Sequence, residues 1–238
     1  LKITTAHINC DLGEGMASEA AIIPYINSCS LACGGHFGNL QSLEQSMRLT
    51  QKHQVICGAH PSYPDLENFG RLSLKMTKEA FIGSIQKQLI LFRDVYKKLY
   101  NSTVIPHIKA HGALYNDLCK STLLTDWYLE ALAAFKFNEI YTPGLGVLYE
   151  KANAMGIEIK KEAFIDRLYT SEGFLVSRKQ AGSVIEQDQE VLAQFKTHLE
   201  QGCFKSIDGS SVQVAADTYC LHGDHPNTLA RLILLAEN

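Results

Sequence analysis

Residues 6–15, "AHINCDLGEG", read as a short apolar strand that runs into a turn carrying two carboxylates, Asp11 and Glu14. A first strand of an open nucleotide-binding sheet usually ends in a glycine-rich GxGxxG turn, and this one does not. No GxxxxGK[ST] occurs elsewhere, and the lone "GLG" near Gly144 is a weak signal. Working outward, further strand-like segments are "SCSLACG" near Cys33, "QVICGAH" ending at His60, "VIPHIKAH" ending at His111, "NEIYTP" near Tyr141, "IEIKKEAF" near Phe164 and "DTYCLHGD" ending at Asp224. Between them lie helical patterns over Asn39–His53, Thr77–Tyr100, Ser121–Phe135, Leu145–Met155, Ala181–Gln201 and Pro226–Ala236. The second is the clearest, with Phe81, Ile85, Leu89, Phe92, Val95 and Leu99 at three- and four-residue steps. "SIDGSSVQV" adds a hairpin signal at Asp208-Gly209. Strands alternating with helices predict a parallel sheet, and without a nucleotide fingerprint the expectation is an α/β TIM-like barrel.

The chain has 238 residues, 46% hydrophobic and 20% charged. That suits one α/β domain over residues 1–238, with no linker or break in composition. A net charge of -3 without a basic block argues against nucleic acid or an anionic membrane as the main partner. No apolar run has the length of a membrane span, and no signal-peptide pattern is present. Seven irregularly spaced cysteines do not suggest a disulfide framework, so a cytoplasmic location is expected.

In a parallel barrel the functional site forms at the C-terminal strand ends. Those ends supply Asn9, Asp11 and Glu14; Cys33, His36 and Asn39; His60, Ser62, Tyr63 and Asp65, with Arg71 downstream. They also supply Lys109, His111, Tyr115 and Asn116; Glu162, Asp166 and Arg167; and His222, Asp224 and His225. Four strands end at a histidine beside glycine: "CGGHF", "CGAHP", "KAHGA" and "LHGDH". One such histidine is more often structural than functional; four at equivalent ends point to a small polar ligand. Asp11, His36 and His60 would suit a divalent metal that activates water. Without metal, carboxylates and imidazoles would act directly as acid and base, with Asp11 or Glu14 raised by burial and Lys109 neutralising negative charge. The plainer reading of Lys109 is an ion pair with Asp11 or Glu14. Buried, inert thiols are the expectation for Cys10, Cys57 and Cys220, while Cys33 is the one candidate nucleophile. Arg167 and Arg178 flank a loop from which they could meet a carboxylate or phosphate, with Tyr169 closing over the mouth; a surface loop tied by ion pairs is the alternative.

"NCDLGE", "ACGGHFGN", "GAHPSYPDLENFGR", "KAHGALYN", "EAFIDRLYTSEGFLVSR" and "ADTYCLHGDHP" together resemble the LamB/YcsF family, the A component of the bacterial ATP-dependent 5-oxoprolinase, in order and over nearly the whole chain. The resemblance implies a deformed seven-stranded TIM-like barrel, similar to the glycoside hydrolase/deacetylase superfamily. It implies opening of the lactam of 5-oxo-L-proline to L-glutamate with ATP hydrolysis, alongside partner subunits B and C that handle ATP. On the matching motifs, Asp11, Glu14, His60, Lys109 and His111 are expected to be catalytic. Asn9, His36, Arg71, Tyr115, Asn116, Asp166, Arg167, His222 and Asp224 are expected to bind substrate. Two positions depart from the family pattern: Asn39 where an aspartate is usual, and Leu72 where a second arginine is common. The alternatives are a stand-alone metal-dependent deacetylase or amidohydrolase, and a non-catalytic chain that only binds a metabolite.

Overall fold

The computed structural model describes residues 6–178 and 180–237. In chain order the elements are β1 (Ile8–Leu12), α1 (Glu19–Ile22), a short 3-10 turn (Ile23–Tyr25), β2 (Ser28–Ala32), α2 (Leu40–His53), β3 (Ile56–His60) and α3 (Lys78–Tyr100). They continue with β4 (Ile105–Lys109), α4 (Gly112–Leu118), α5 (Thr122–Leu132), β5 (Phe137–Thr142), α6 (Val147–Ala154) and β6 (Ile159–Phe164). The last are α7 (Asp188–Gln201), β7 (Cys203–Lys205), β8 (Ser211–Gln213), β9 (Thr218–Cys220) and α8 (Thr228–Glu237). Seven parallel strands close a barrel in the order β1-β2-β3-β4-β5-β6-β9, while β7 and β8 form a separate antiparallel hairpin. The expected TIM-like (β/α)7 barrel is therefore the fold, and the hairpin sits at the predicted Asp208-Gly209 turn.

Strand alternation sorts two cores. Ile8, Cys10, Leu12, Cys29, Leu31, Cys57, Ala59, Ile108 and Ala163 are fully buried and apolar. The alternate positions are polar: Ser30 Oγ bonds His107 Nε2 and Ser28 Oγ bonds Tyr141 Oη across the lumen, both at 3.2 Å, and Asn9 Nδ2 bonds Thr218 Oγ1 on the neighbouring strand at 2.8 Å. A polar lumen is costly unless its groups find partners, so these cross-barrel bonds fix which strands face each other.

The helices follow the sequence signals closely. α3 buries Phe81, Ile85, Leu89, Phe92 and Val95, each worth about 1.5–3 kcal/mol of gross hydrophobic stabilisation. Thr77 caps its start and left-handed Asn101 ends it. Asn39 caps α2: its Oδ1 accepts from the Gln41 and Ser42 backbone N–H groups, and Ser42 Oγ accepts from the Asn39 N–H. Asparagine and aspartate cap equally well, so the departure at position 39 retains this role.

Two expectations need correction. The helix placed from Ala181 begins at Asp188, because a turn at 181–182 leads into an extended segment, 183–187, that packs against the chain after β6: Arg167 bridges Val184, and the Ile185 N–H bonds to the Asp166 carbonyl. Tyr169 does not close over the mouth. It is buried, stacked on Phe204 at 4.9 Å, with its hydroxyl 2.6 Å from the Phe164 N–H. Among the described residues, no helix is long and apolar enough to cross a membrane.

Candidate active site

The floor of the mouth is a buried charge cluster centred on Lys109, the last residue of β4. Its Nζ lies 2.8 Å from Asp11 Oδ1, 2.8 Å from Glu162 Oε1 and 3.3 Å from Cys220 Sγ, and 4.9 Å from the Phe164 ring centroid. Burial alone would strip the ammonium of its proton, but Asp11, Cys220 and Glu162 hold its pKa well above the usual lysine value. Burial likewise opposes ionisation of Asp11, yet His60 and Lys109 keep it well below the carboxylate range. Glu162 moves the other way, pushed up by burial against the pull of Lys109. The ion-pair reading of Lys109 thus fits, with a second carboxylate that the sequence placed at a strand end but did not single out. Its signal was strand parity: Glu162 lies two residues before the end of β6, on the lumen side.

Beside the floor, four buried side chains from separate strand ends converge. One potential ligand atom each from Glu14, His36, His60 and His111 lies within 4.8 Å of the others. His36 Nε2 is 3.0 Å from Glu14 Oε1, His111 Nδ1 is 3.5 Å from the same oxygen, and His111 Nδ1 is 3.0 Å from His60 Nε2. The His36 and His111 rings stack at 3.6 Å. Burial drives Glu14 up to about 8 and His36 down to about 2, and it also lowers His111. Of the expected metal set of Asp11, His36 and His60, both histidines belong to this group. Asp11 lies beside the group, with Oδ2 3.4 Å from His60 Nε2 and Oδ1 on Lys109, and the four donor atoms that converge are those of Glu14, His36, His60 and His111. Of the two carboxylates expected to be raised, only Glu14 is.

The opposite wall holds an Asp–His dyad. Asp166 accepts from the His222 backbone N–H at 3.1 Å and from ring Nδ1–H at 2.8 Å. Burial works against the Asp166 charge, but His222 prevails and its pKa falls to about 2. Burial keeps His222 itself below its ordinary value despite that carboxylate, so the ring is neutral near pH 7. At the rim, Arg71 and Arg178 reach the same oxygen of Asp224, at 2.5 and 3.3 Å. Two guanidinium groups on one carboxylate leave a net positive charge at a half-exposed entrance.

Several expected residues lie away from this mouth. Asn9 is one layer down, bonded to Thr218. Asn116 is exposed on α4 and bonds back to the Gly112 carbonyl. Tyr115, by contrast, is buried beside the floor, its ring 5.6 Å from Phe164, the ring that lies 4.9 Å from Lys109 Nζ. Arg167 is buried and donates to the Ser183 and Val176 carbonyls, bracing the loop. Arg178 takes the rim position instead. Cys33 is 1% exposed and burial lifts its thiol to about 12, which removes it as a nucleophile. With Leu72 beside it, Arg71 is the cation by which this loop reaches Asp224 at the mouth.

Comparison with known proteins adds the lineage. A solved structure of a lactam utilization protein from Thermus thermophilus superposes with a TM-score of 0.88 at 29% identity, covering 98% of this chain and 96% of that chain. The catalytic domain of a mannanase from Streptomyces sp. SirexAA-E aligns at 10% identity and a TM-score of 0.41, over 92% of this chain and 74% of its own, too weakly to bear on function. The model of the LamB/YcsF family matches residues 6–236. With the motifs spanning the whole barrel and lining its mouth, the chain belongs to the LamB/YcsF family.

Proposed function

We propose that this chain is the A component of an ATP-dependent 5-oxoprolinase, opening the lactam of 5-oxo-L-proline to L-glutamate together with subunits B and C. The observation that carries the reading is that the family's motifs, from six distant stretches, converge on one mouth with a cationic rim and a charged floor. The similarity to a lactam utilization protein supports the lactam as substrate class. An unactivated five-membered lactam is a poor electrophile, and the sequence carries no GxxxxGK[ST] motif. Subunits B and C would therefore use ATP to phosphorylate the amide oxygen.

Water then adds to the activated carbon and the ring nitrogen leaves, giving an acyl phosphate. A second water splits that to glutamate and phosphate, so one ATP and two waters are consumed. Neutral His222, oriented by Asp166, takes the proton from water and returns it to the departing nitrogen. The Arg71–Asp224–Arg178 rim holds the substrate carboxylate or the transferred phosphate. Lys109 is enclosed by Asp11 and Glu162 and sets the field of the floor.

The test uses the three purified chains together. Asp166→Asn keeps the shape of the dyad but loses the charge that stabilises an imidazolium. It should lower kcat at least about 100-fold with KM little changed, the scale of general acid–base catalysis. A KM effect alone would make His222 a binding residue. The buried histidine and glutamate cluster favours a second reading, a metal-dependent amidohydrolase acting alone. Lactam or amide cleavage by this chain without ATP would establish it.

A further inference from the structure

We propose that Glu14, His36, His60 and His111 form a four-coordinate binding site for a divalent transition-metal ion of the zinc type. The inference stands on the geometry of the cluster, independently of the reaction above. Its first support is spacing. Metal–ligand bonds of about 2.0–2.1 Å in a tetrahedron put neighbouring donors about 3.3–3.4 Å apart. The contacts between Glu14 Oε1 and His36 Nε2, His60 Nε2 and His111 Nδ1, and His111 Nδ1 and Glu14 Oε1 are 3.0, 3.0 and 3.5 Å, and all four donor atoms lie within 4.8 Å of one another.

The second support is tautomeric. His60 Nδ1 is 2.8 Å from the Lys109 carbonyl oxygen, and His111 Nε2 is 3.0 Å from the Phe69 carbonyl oxygen. A carbonyl only accepts, so each of those nitrogens carries the ring proton. In neutral rings, His60 Nε2 and His111 Nδ1 are then bare lone pairs facing each other at 3.0 Å. A proton on His60 Nε2 would lie between them and face Asp11 Oδ2 at 3.4 Å; a metal ion is the other positive group that fits. A single proton would serve two donors, but four converge here, and a cation satisfies all of them. The backbone carbonyls are the outer partners that orient metal-bound imidazoles. His36 lacks one, since its Nδ1 has no partner, and stacking on His111 holds it instead.

The surroundings fit such an ion. All four side chains are buried, and Phe69 and Gly70, both with positive φ, bring the loop backbone down onto the rings. A Cβ on Gly70 would come within 2.9 Å of His36 Cβ and 3.0 Å of His111 Cδ2, so no space separates that backbone from the site. Three imidazoles and one carboxylate suit zinc, cobalt or nickel rather than magnesium or calcium, which prefer oxygen donors.

The experiment is equilibrium dialysis of the metal-free chain against Zn2+ and Co2+, with elemental analysis, visible spectra of the Co2+ form and thermal unfolding. We expect one ion per chain, the intense visible bands of four-coordinate cobalt, and a higher Tm with metal. His111→Gln and His36→Gln should each weaken binding at least about 100-fold, beyond the effect of losing an outer partner. His225→Gln, a rim histidine facing Glu186, should bind normally. If a variant fails to fold, the wild-type stoichiometry and the other variant decide. A folded wild-type chain that takes up no ion and shows no Tm shift overturns the proposal; 15N signals of an imidazolium shared by His60 and His111 would do the same. A chain that binds metal yet makes no glutamate with its partners leaves this site standing and removes the proposed reaction.

Discussion

Lys109 shows how much of the site one residue can organise. Its ammonium lies between two carboxylates in a lumen with almost no access to water. Lys109→Met would leave Asp11 and Glu162 buried without their cation, a loss of about 3–5 kcal/mol by the usual cost of breaking a buried pair. Urea unfolding at pH 7 measures it, and a loss below about 1 kcal/mol would mean that water reaches the cluster. The sequence showed Lys109 and His111 two residues apart at a strand end, which made their shared destination legible. It did not show that Glu162 rather than Glu14 would be the second partner of Lys109. That choice depends on the register between β4, β6 and β9, and no local pattern encodes it.

At the scale of elements, periodicity and caps were the readable signals, and they succeeded where a helix buries one stripe against the barrel. The apolar steps of α3 and the cap of α2 are examples. Asn39→Ala should cost about 1 kcal/mol through loss of the cap, and Asn39→Asp should be close to neutral, as read from denaturant midpoints. A full-sized loss of turnover in Asn39→Asp would instead tie position 39 to chemistry. Elements set by distant packing were not readable. Val184 and Ile185 look helical in sequence, yet they belong to an extended segment that pairs with the chain around Asp166 and Arg167. α4 was hidden too, because it starts at Gly112, whose positive φ puts the backbone against the Gly70 carbonyl: a Cβ there would stand 2.6 Å from that oxygen.

Across the whole molecule, closure of the barrel turns scattered strand ends into one site and leaves histidines such as His7 and His107 where burial lowers their pKa. His7 illustrates the consequence. Burial first, then Lys160, lowers its pKa from 6.5 to about 4. The unfolded chain therefore binds the proton more readily, so this contribution to stability is complete above about pH 6.5 and is lost as pH falls toward 4. His107, lowered by burial, acts in the same direction. Comparing urea midpoints of wild type and His7→Asn between pH 7 and 4 should show a shallower acid slope in the variant. A steeper slope in the variant would refute the assignment.

The barrel class was legible because a missing nucleotide fingerprint and repeated strand ends are local facts; the grouping of side chains across the lumen is not. The most direct measurement for the whole account is glutamate and ADP production from 5-oxo-L-proline and ATP, with this chain and subunits B and C each omitted in turn. Glutamate and ADP should form in equal amounts only when all three are present. Glutamate formed without ATP, or no glutamate from the complete set, would contradict it.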